Sequence, residues 1–228
     1  MIYLHDLAGA DPALRFSPYC WRAKLALAHK GLPVETKPWR FHEKPALGFS
    51  GQGRVPVIRD ADRVVFDSWA IAEYLETEYP GPPALFNGAF GLAHARFINV
   101  WADTVLNGGI FSLIVADLFA VIDPADRDYF RVSREQRLGM TLEAAQAGRE
   151  GRLGAFRASL APLRMVLEHQ NFLGGIQPSY ADHIIAGSLM WPRCSSRFEL
   201  LAVDDPIFTW RERMLDLYGG LLRDAVLV

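Results

Sequence analysis

The sequence predicts an α/β domain over about residues 1–80, a linker over about 81–88 and an all-α domain over about 89–228. Three observations carry this. Short β-rich runs alternate with helical periodicity up to Tyr79. Tyr79-Pro80-Gly81-Pro82-Pro83 then forms a stretch that no helix can cross. Beyond it, apolar residues recur at intervals of three and four along nearly the whole chain.

Taken in order, Ile2, Leu4 and Leu7 fall in a short apolar run that suits a buried strand. After Ser17-Pro18, an N-cap with proline in the first helical position, Trp21, Leu25 and Ala28 repeat at helical spacing until Lys30-Gly31 ends the helix. Pro33 to Trp39 reads as an edge strand because of its prolines, and strand, helix, strand implies a right-handed crossover onto a parallel neighbour. Arg40 to Gly53, rich in charge and glycine, reads as an exposed loop. A third strand begins at Arg54-Val55-Pro56-Val57-Ile58. A fourth at Arg63-Val64-Val65-Phe66 follows the Asp60-Ala61-Asp62 turn. Asp67-Ser68 then precedes an amphipathic helix carrying Ile71, Ala72, Leu75 and Tyr79.

In the second part, the apolar series Leu92, Phe97, Trp101, Val105, Ile110, Leu118 predicts a long helix interrupted at Asn107-Gly108-Gly109. Asp123-Pro124-Ala125-Asp126 closes it. Two further helices are expected over Arg131 to Gln146 and around Phe156, Leu160, Leu163 and Leu167. Ser179-Tyr180-Ala181-Asp182 is a capping-box pattern opening an apolar helix up to Trp191, which makes Ser179 and Asp182 folding determinants. A last helix carries Ile207, Trp210, Met214 and Leu217.

The balance of 24 basic and 26 acidic residues gives no reason to expect nucleic acid or an anionic membrane as partner. The best uncharged stretch, Thr104 to Ala116, falls short of the roughly 18 residues that span a bilayer. Two cysteines far apart and no basic-then-apolar N-terminal segment suit a reducing, cytoplasmic setting. The six histidines show no metal-ligand spacing.

Chemistry points to the first helix. Unpaired N–H groups and the dipole at a helix N-terminus favour an anion, and a thiolate is one. Ser17-Pro18-Tyr19-Cys20 puts a hydroxyl where a C-x-x-C motif has its reactive cysteine, so Ser17 either caps its helix or steadies a thiolate brought by a ligand. Val55-Pro56 opens a strand without an N–H for the ladder. If that bond is cis, the Val55 backbone is free to face a peptide-like ligand. Ser68, a good N-cap, and Asp67 suit either capping alone or the carboxylate and ammonium of an α-amino acid.

The order of these motifs, with the proline stretch and the Ser179-x-x-Asp182 box behind them, resembles the glutathione transferase family over nearly the whole chain. Ser17-Pro18-Tyr19-Cys20-Trp21-Arg22, Asp67 to Leu75, Asp126 to Tyr129, Ser133 to Gln136 and Gln146 to Glu150 look like the bacterial β-etherases and their fungal relatives, which cleave aryl ethers with glutathione. The resemblance implies a thioredoxin-like N-terminal domain, an all-α C-terminal domain and a homodimer. It implies that Ser17 hydrogen-bonds the glutathione sulfur, that Val55 pairs main chain with the cysteinyl part beside a cis Pro56, and that Asp67 and Ser68 take the γ-glutamyl end. A basic residue among His42, Lys44 and Arg54 would receive the glycyl carboxylate. Tyr19, Asn107, Phe111 and Trp191 are candidates for the pocket of a second, electrophilic substrate. The expected activity is substitution by the glutathione thiolate. The rivals are a carrier of aromatic ligands and thiol chemistry through Cys20.

Overall fold

The computed structural model describes residues 1–81 and 83–228; Pro82, within the proline stretch, lies outside the described residues. Four strands form one mixed sheet in the order β2-β1-β3-β4: β1 (Ile2–Leu7), β2 (Val34–Trp39), β3 (Val57–Asp60) and β4 (Arg63–Phe66). β1 and β2 are parallel, with Ile2 opposite Val34 and Leu7 opposite Trp39, as a crossover through α1 (Pro18–His29) requires. β3 runs antiparallel to β1, and β4 antiparallel to β3. β2 lies at the edge, the position its prolines permit. α1 is buried on nearly all sides. It packs beside α2 (Ser68–Glu78), with a helix of the second domain on its other flank.

The loop expected over Arg40 to Gly53 is instead largely a 3₁₀ helix, Phe41–Ser50. Glu43 accepts the Arg40 N–H at 2.7 Å to start it. Leu47 is fully buried beneath it, one apolar anchor hidden among charges. The second domain opens with α3 (Ala89–Trp101), a π-helical turn Ala102–Leu106 and α4 (Asn107–Val121). The irregularity thus falls one turn before the glycines. Gly109 is there for space, since a Cβ would stand 2.9 Å from the Phe156 ring.

This run is continuous over 33 residues, with a mean hydropathy of 1.8 in its most apolar window, enough by length and composition to cross a membrane. The shorter span expected from Thr104–Ala116 is therefore corrected, because a lone charge such as Asp103 does not end the helix. In the fold 44% of that window is buried: α4 runs through the core, with Ile110, Leu113, Ile114, Val115 and Leu118 enclosed, whereas α3 buries only Ala95.

The two helices expected next are four: α5 (Arg127–Leu138), α6 (Leu142–Gln146), α7 (Arg149–Ser159) and α8 (Ala161–Leu167). Gly139 ends α5 in the left-handed region at φ 70°, and Thr141 caps α6. Leu160 breaks α7 from α8 ahead of Pro162. α9 (Tyr180–Ser195) is the central helix, opened by the Ser179–Asp182 capping box. The Asp182 carboxylate also accepts from Leu173 N, Gly174 N and Trp210 Nε1. α10 (Pro206–Asp216) completes the bundle, and Leu217, expected on its stripe, lies just beyond its end.

α9 lies against α1 so closely that a Cβ on Gly187 would meet the Pro18 carbonyl oxygen at 2.6 Å. Further bonds lock the domains. Asp126 accepts the Phe41 and His42 N–H groups, Ala10 N–H donates to Val121 O, and Tyr180 Oη donates to Ser68 O at 2.6 Å. Behind α1, His29 Nε2 lies 3.0 Å from Ala84 O, which only accepts, so that nitrogen carries the proton. His29 Nδ1 then accepts from Tyr218 Oη, which in turn accepts from His183 Nε2–H, both at 2.8 Å. This pattern of donors and acceptors requires the His29 imidazole in the neutral form.

Burial lowers the pKa of His29, and lowers that of His183 well below the ordinary 6.5, with the charge of His29 adding to the latter. Groups depressed in the fold contribute stability that is complete above their unfolded pKa and lost as pH falls through the folded one. The melting temperature is therefore expected to decline once pH drops below about 6.5, less steeply in His183→Gln; a level melting temperature between about pH 7 and 5 contradicts this. Gly187→Ala is expected to cost about 1–3 kcal/mol in urea unfolding, since it forces backbone apart.

Candidate active site

The first turn of α1 forms one wall of a cavity of about 700 Å³ between the two domains. Ser17 is the N-cap, in extended conformation, and its Oγ accepts the Cys20 N–H at 3.3 Å. Pro18 has no N–H, and Trp21 N–H donates to Ser17 O. The Tyr19 N–H is left without an acceptor among the described residues. Ser17 is only 5% exposed, but its hydroxyl proton remains available to a group in the cavity. The dipole of α1 adds partial positive charge there. Cys20, one turn on, is fully buried. Burial, with the charge of Asp6 adding, pushes its thiol far above the ordinary value.

The adjoining wall comes from the π-helical turn. Asp103 accepts from Arg22 Nη2 at 2.9 Å and from Asn107 Nδ2 at 3.2 Å. Arg22 is wholly buried and also donates to Asn99 and Ser188. A buried guanidinium needs such partners, and Asp103 neutralises it. Asn107 is 6% exposed, and its Oδ1 has no hydrogen-bond donor among the described residues. Tyr19 stands over Arg22, ring centroid 4.8 Å from the guanidinium carbon. Burial, helped by the Asp103 charge, raises its phenol above the ordinary value, so it is a proton donor at neutral pH. Phe111 and Trp191 stack at 5.7 Å to make an apolar wall.

The structure therefore brings Ser17, Tyr19, Arg54, Val55, Asn107, Phe111 and Trp191 to one cavity. The Val55–Pro56 peptide bond is cis, and Pro56 is buried behind it. Of the basic candidates, Arg54 lines the cavity; Lys44 is not in the lining, but its ammonium lies 4.4 Å from the centre of the Tyr129 ring, which is. His42 does not reach it: its Nδ1 is held 3.0 Å from the buried Asp126 carboxylate.

Asp67 and Ser68 also lie outside the cavity lining. The N-cap of α2 is Asp67 rather than Ser68. Its Oδ1 accepts from Trp69 N and Ala70 N, and it sits at φ 74°, ψ 132°, a positive-φ conformation outside the left-handed helical well. Ser68 is one residue inside the helix and buried.

Sequence reasoning missed Trp39, Phe41, Asp103, Tyr129, Phe130, Arg134 and Arg137, all of which line the cavity. Phe130, Arg134 and Arg137 stand at i, i+4, i+7 on α5, one face of a helix, and that spacing was a legible signal.

Residues 16–78 match the glutathione S-transferase N-terminal domain family, and residues 93–202 the glutathione S-transferase C-terminal domain family. The chain is 25% identical over 219 residues to mouse glutathione S-transferase omega-2, covering 94% of this chain and 67% of the mouse protein. It is 34% identical over 84 residues to a probable glutathione transferase of Aplysia californica, 36% of this chain and 91% of that one. Six other curated relatives are matched over 26 to 42% of their own length. Among solved structures, glutathione transferase GSTFuA3 of Phanerochaete chrysosporium superposes with a TM-score of 0.75 at 27% identity, covering 96% of this chain and 92% of that one. With an α/β domain and a helical domain each matching its counterpart, this chain belongs to the glutathione S-transferase family.

Proposed function

We propose that this chain transfers the glutathione thiolate to an electrophilic aromatic substrate, aryl ethers of the β-etherase type among them. Residues 1–80 would hold glutathione and residues 89–228 would supply the second substrate's pocket. The observation that carries this is the placement of Ser17, a capping hydroxyl at the N-terminus of α1, in a cavity whose opposite wall is aromatic.

The chemistry follows from that placement. The Ser17 Oγ–H donates to the tripeptide's sulfur and the α1 dipole favours its charge, so the thiol loses its proton to solvent at neutral pH. Val55 offers backbone to the cysteinyl part, and Arg54 or Lys44 takes the glycyl carboxylate. Asp67 and Ser68, at the start of α2, are proposed for the γ-glutamyl end. The thiolate attacks the substrate carbon, a C–S bond forms, and the leaving group departs with its electron pair. With an aryl ether the leaving group is an aryloxide, and Tyr19 is placed to give it a hydrogen bond. Holding both reactants in line is itself a large part of the acceleration.

Thiol chemistry through Cys20 is disfavoured by that residue's burial and raised pKa. Two buried free thiols suit a reducing, cytoplasmic setting. We also propose a homodimer, because α3 presents Phe90, 93% exposed, with Phe97 and Val100 outward.

Ser17→Ala is expected to raise the pKa of bound glutathione by about one to two units, read as thiolate absorbance against pH. An unchanged titration would assign activation to the backbone alone. A carrier without catalysis would bind aromatic ligands but turn over no electrophile. Sedimentation is expected to give a dimer that Phe97→Glu converts to monomer; a monomeric parent protein contradicts the dimer.

A further inference from the structure

The charges around the cavity are unevenly matched. Its one acidic lining residue among those described, Asp103, is already neutralised by Arg22. Three arginines, Arg54, Arg134 and Arg137, line it, and none of them lies within 4.0 Å of a carboxylate among the described residues. The contrast within α5 is sharp: Arg131, on the same helix, is held by both Glu135 and Glu143. Arg134 and Arg137 instead stand one turn apart, like charges side by side, an arrangement that costs helix stability.

Both are set against aromatic faces. The Arg134 guanidinium carbon is 4.7 Å from the Phe130 ring centre, and that of Arg137 is 4.6 Å from the Phe111 ring centre. Phe111 in turn stacks on Trp191. Burial lowers the Arg134 pKa, and the positive charges of Arg137 and Arg54 lower it further, though Tyr129 opposes them. The charges thus reinforce one another around the cavity, and the least exposed of them, Arg134, is partly desolvated, where an ion pair is worth more than at the surface. Glutathione carries two carboxylates; the γ-glutamyl one is proposed for the start of α2, outside this lining, which leaves the glycyl carboxylate for one cation here, and Arg54, next to Val55, adjoins that site.

We propose that the second substrate is an aryl carboxylate, its ring against Phe111 and Trp191 and its carboxylate held by Arg134 and Arg137. This rests on the transferase reading but names the substrate class. Guanidinium is suited to the task, since its planar fork meets a carboxylate with two parallel N–H···O bonds. A cavity of this volume accommodates such an aryl acid beside the tripeptide.

The test compares 4-(chloromethyl)benzoate with its methyl ester as electrophiles, each rate divided by its uncatalysed rate. Thiolate displaces chloride at the benzylic carbon in both, so only the charge differs. The corrected kcat/KM is expected to favour the acid about tenfold or more, and Arg137→Gln and Arg134→Gln are each expected to reduce that preference at least about fivefold. Arg137 is solvent-exposed, so its variant reports even if the Arg134 variant folds poorly. No preference in the parent protein, or a preference that survives both substitutions, overturns the proposal. A rise in the KM for glutathione with the preference intact overturns it too, because the arginines would then serve the tripeptide.

Calorimetry with biphenyl-4-carboxylate and biphenyl-4-methanol separates this from the transferase reading. Tighter binding of the acid, lost in Arg134→Gln/Arg137→Gln, supports the anion site even if no electrophile is turned over. Equal binding, or none, counts against it.

Discussion

The contact on which the rest depends is the one between α9 and the first turn of α1. Only a residue without a side chain lets the two backbones approach this closely, and Gly187 supplies it opposite Pro18. α1 is then enclosed by the sheet, α2 and α9, so that even its charged residues Arg22 and Lys24 are buried and need partners. Its N-terminus alone remains in communication with a cavity, which places Ser17 at the junction of the domains.

Arg22 converts this packing into a site. A guanidinium fully enclosed between α1 and α9 must find an anion, and the π-helical turn supplies Asp103. The same turn brings Asn107 to the cavity, its amide donating to the Asp103 carboxylate. Irregular helical turns are common at functional sites because they re-aim side chains. Here the turn lets one helix both cross the core and face a ligand space.

Much of this was legible in the sequence. Strand–helix–strand alternation, the proline stretch and the Ser179–Asp182 box specified both domains, and Ser17-Pro18 specified the cap of α1. Tyr19, Asn107, Phe111 and Trp191, far apart in the chain, do share a cavity with Ser17. What escaped had local causes. Asp67 caps α2 through a positive φ that no pattern of polar residues reveals. His42 is claimed by Asp126, 84 positions away. The break at Gly139 depended on a left-handed residue inside a polar helix whose periodicity continues on either side. Arg134 and Arg137 share a helix face with Phe130, a spacing the sequence shows, but that this face meets a cavity while Arg131 is held by Glu135 and Glu143 is set by the fold.

The central claim is that a hydroxyl at the mouth of α1 keeps a ligand's sulfur in its anionic form. A crystal structure grown with glutathione tests it most directly, through the distance from the tripeptide sulfur to Ser17 Oγ. The account predicts hydrogen-bond contact, within about 3.5 Å, with the sulfur open to the aromatic side of the cavity. A sulfur lying well away from Ser17, or a cavity that takes up no tripeptide at saturating concentration, would contradict it.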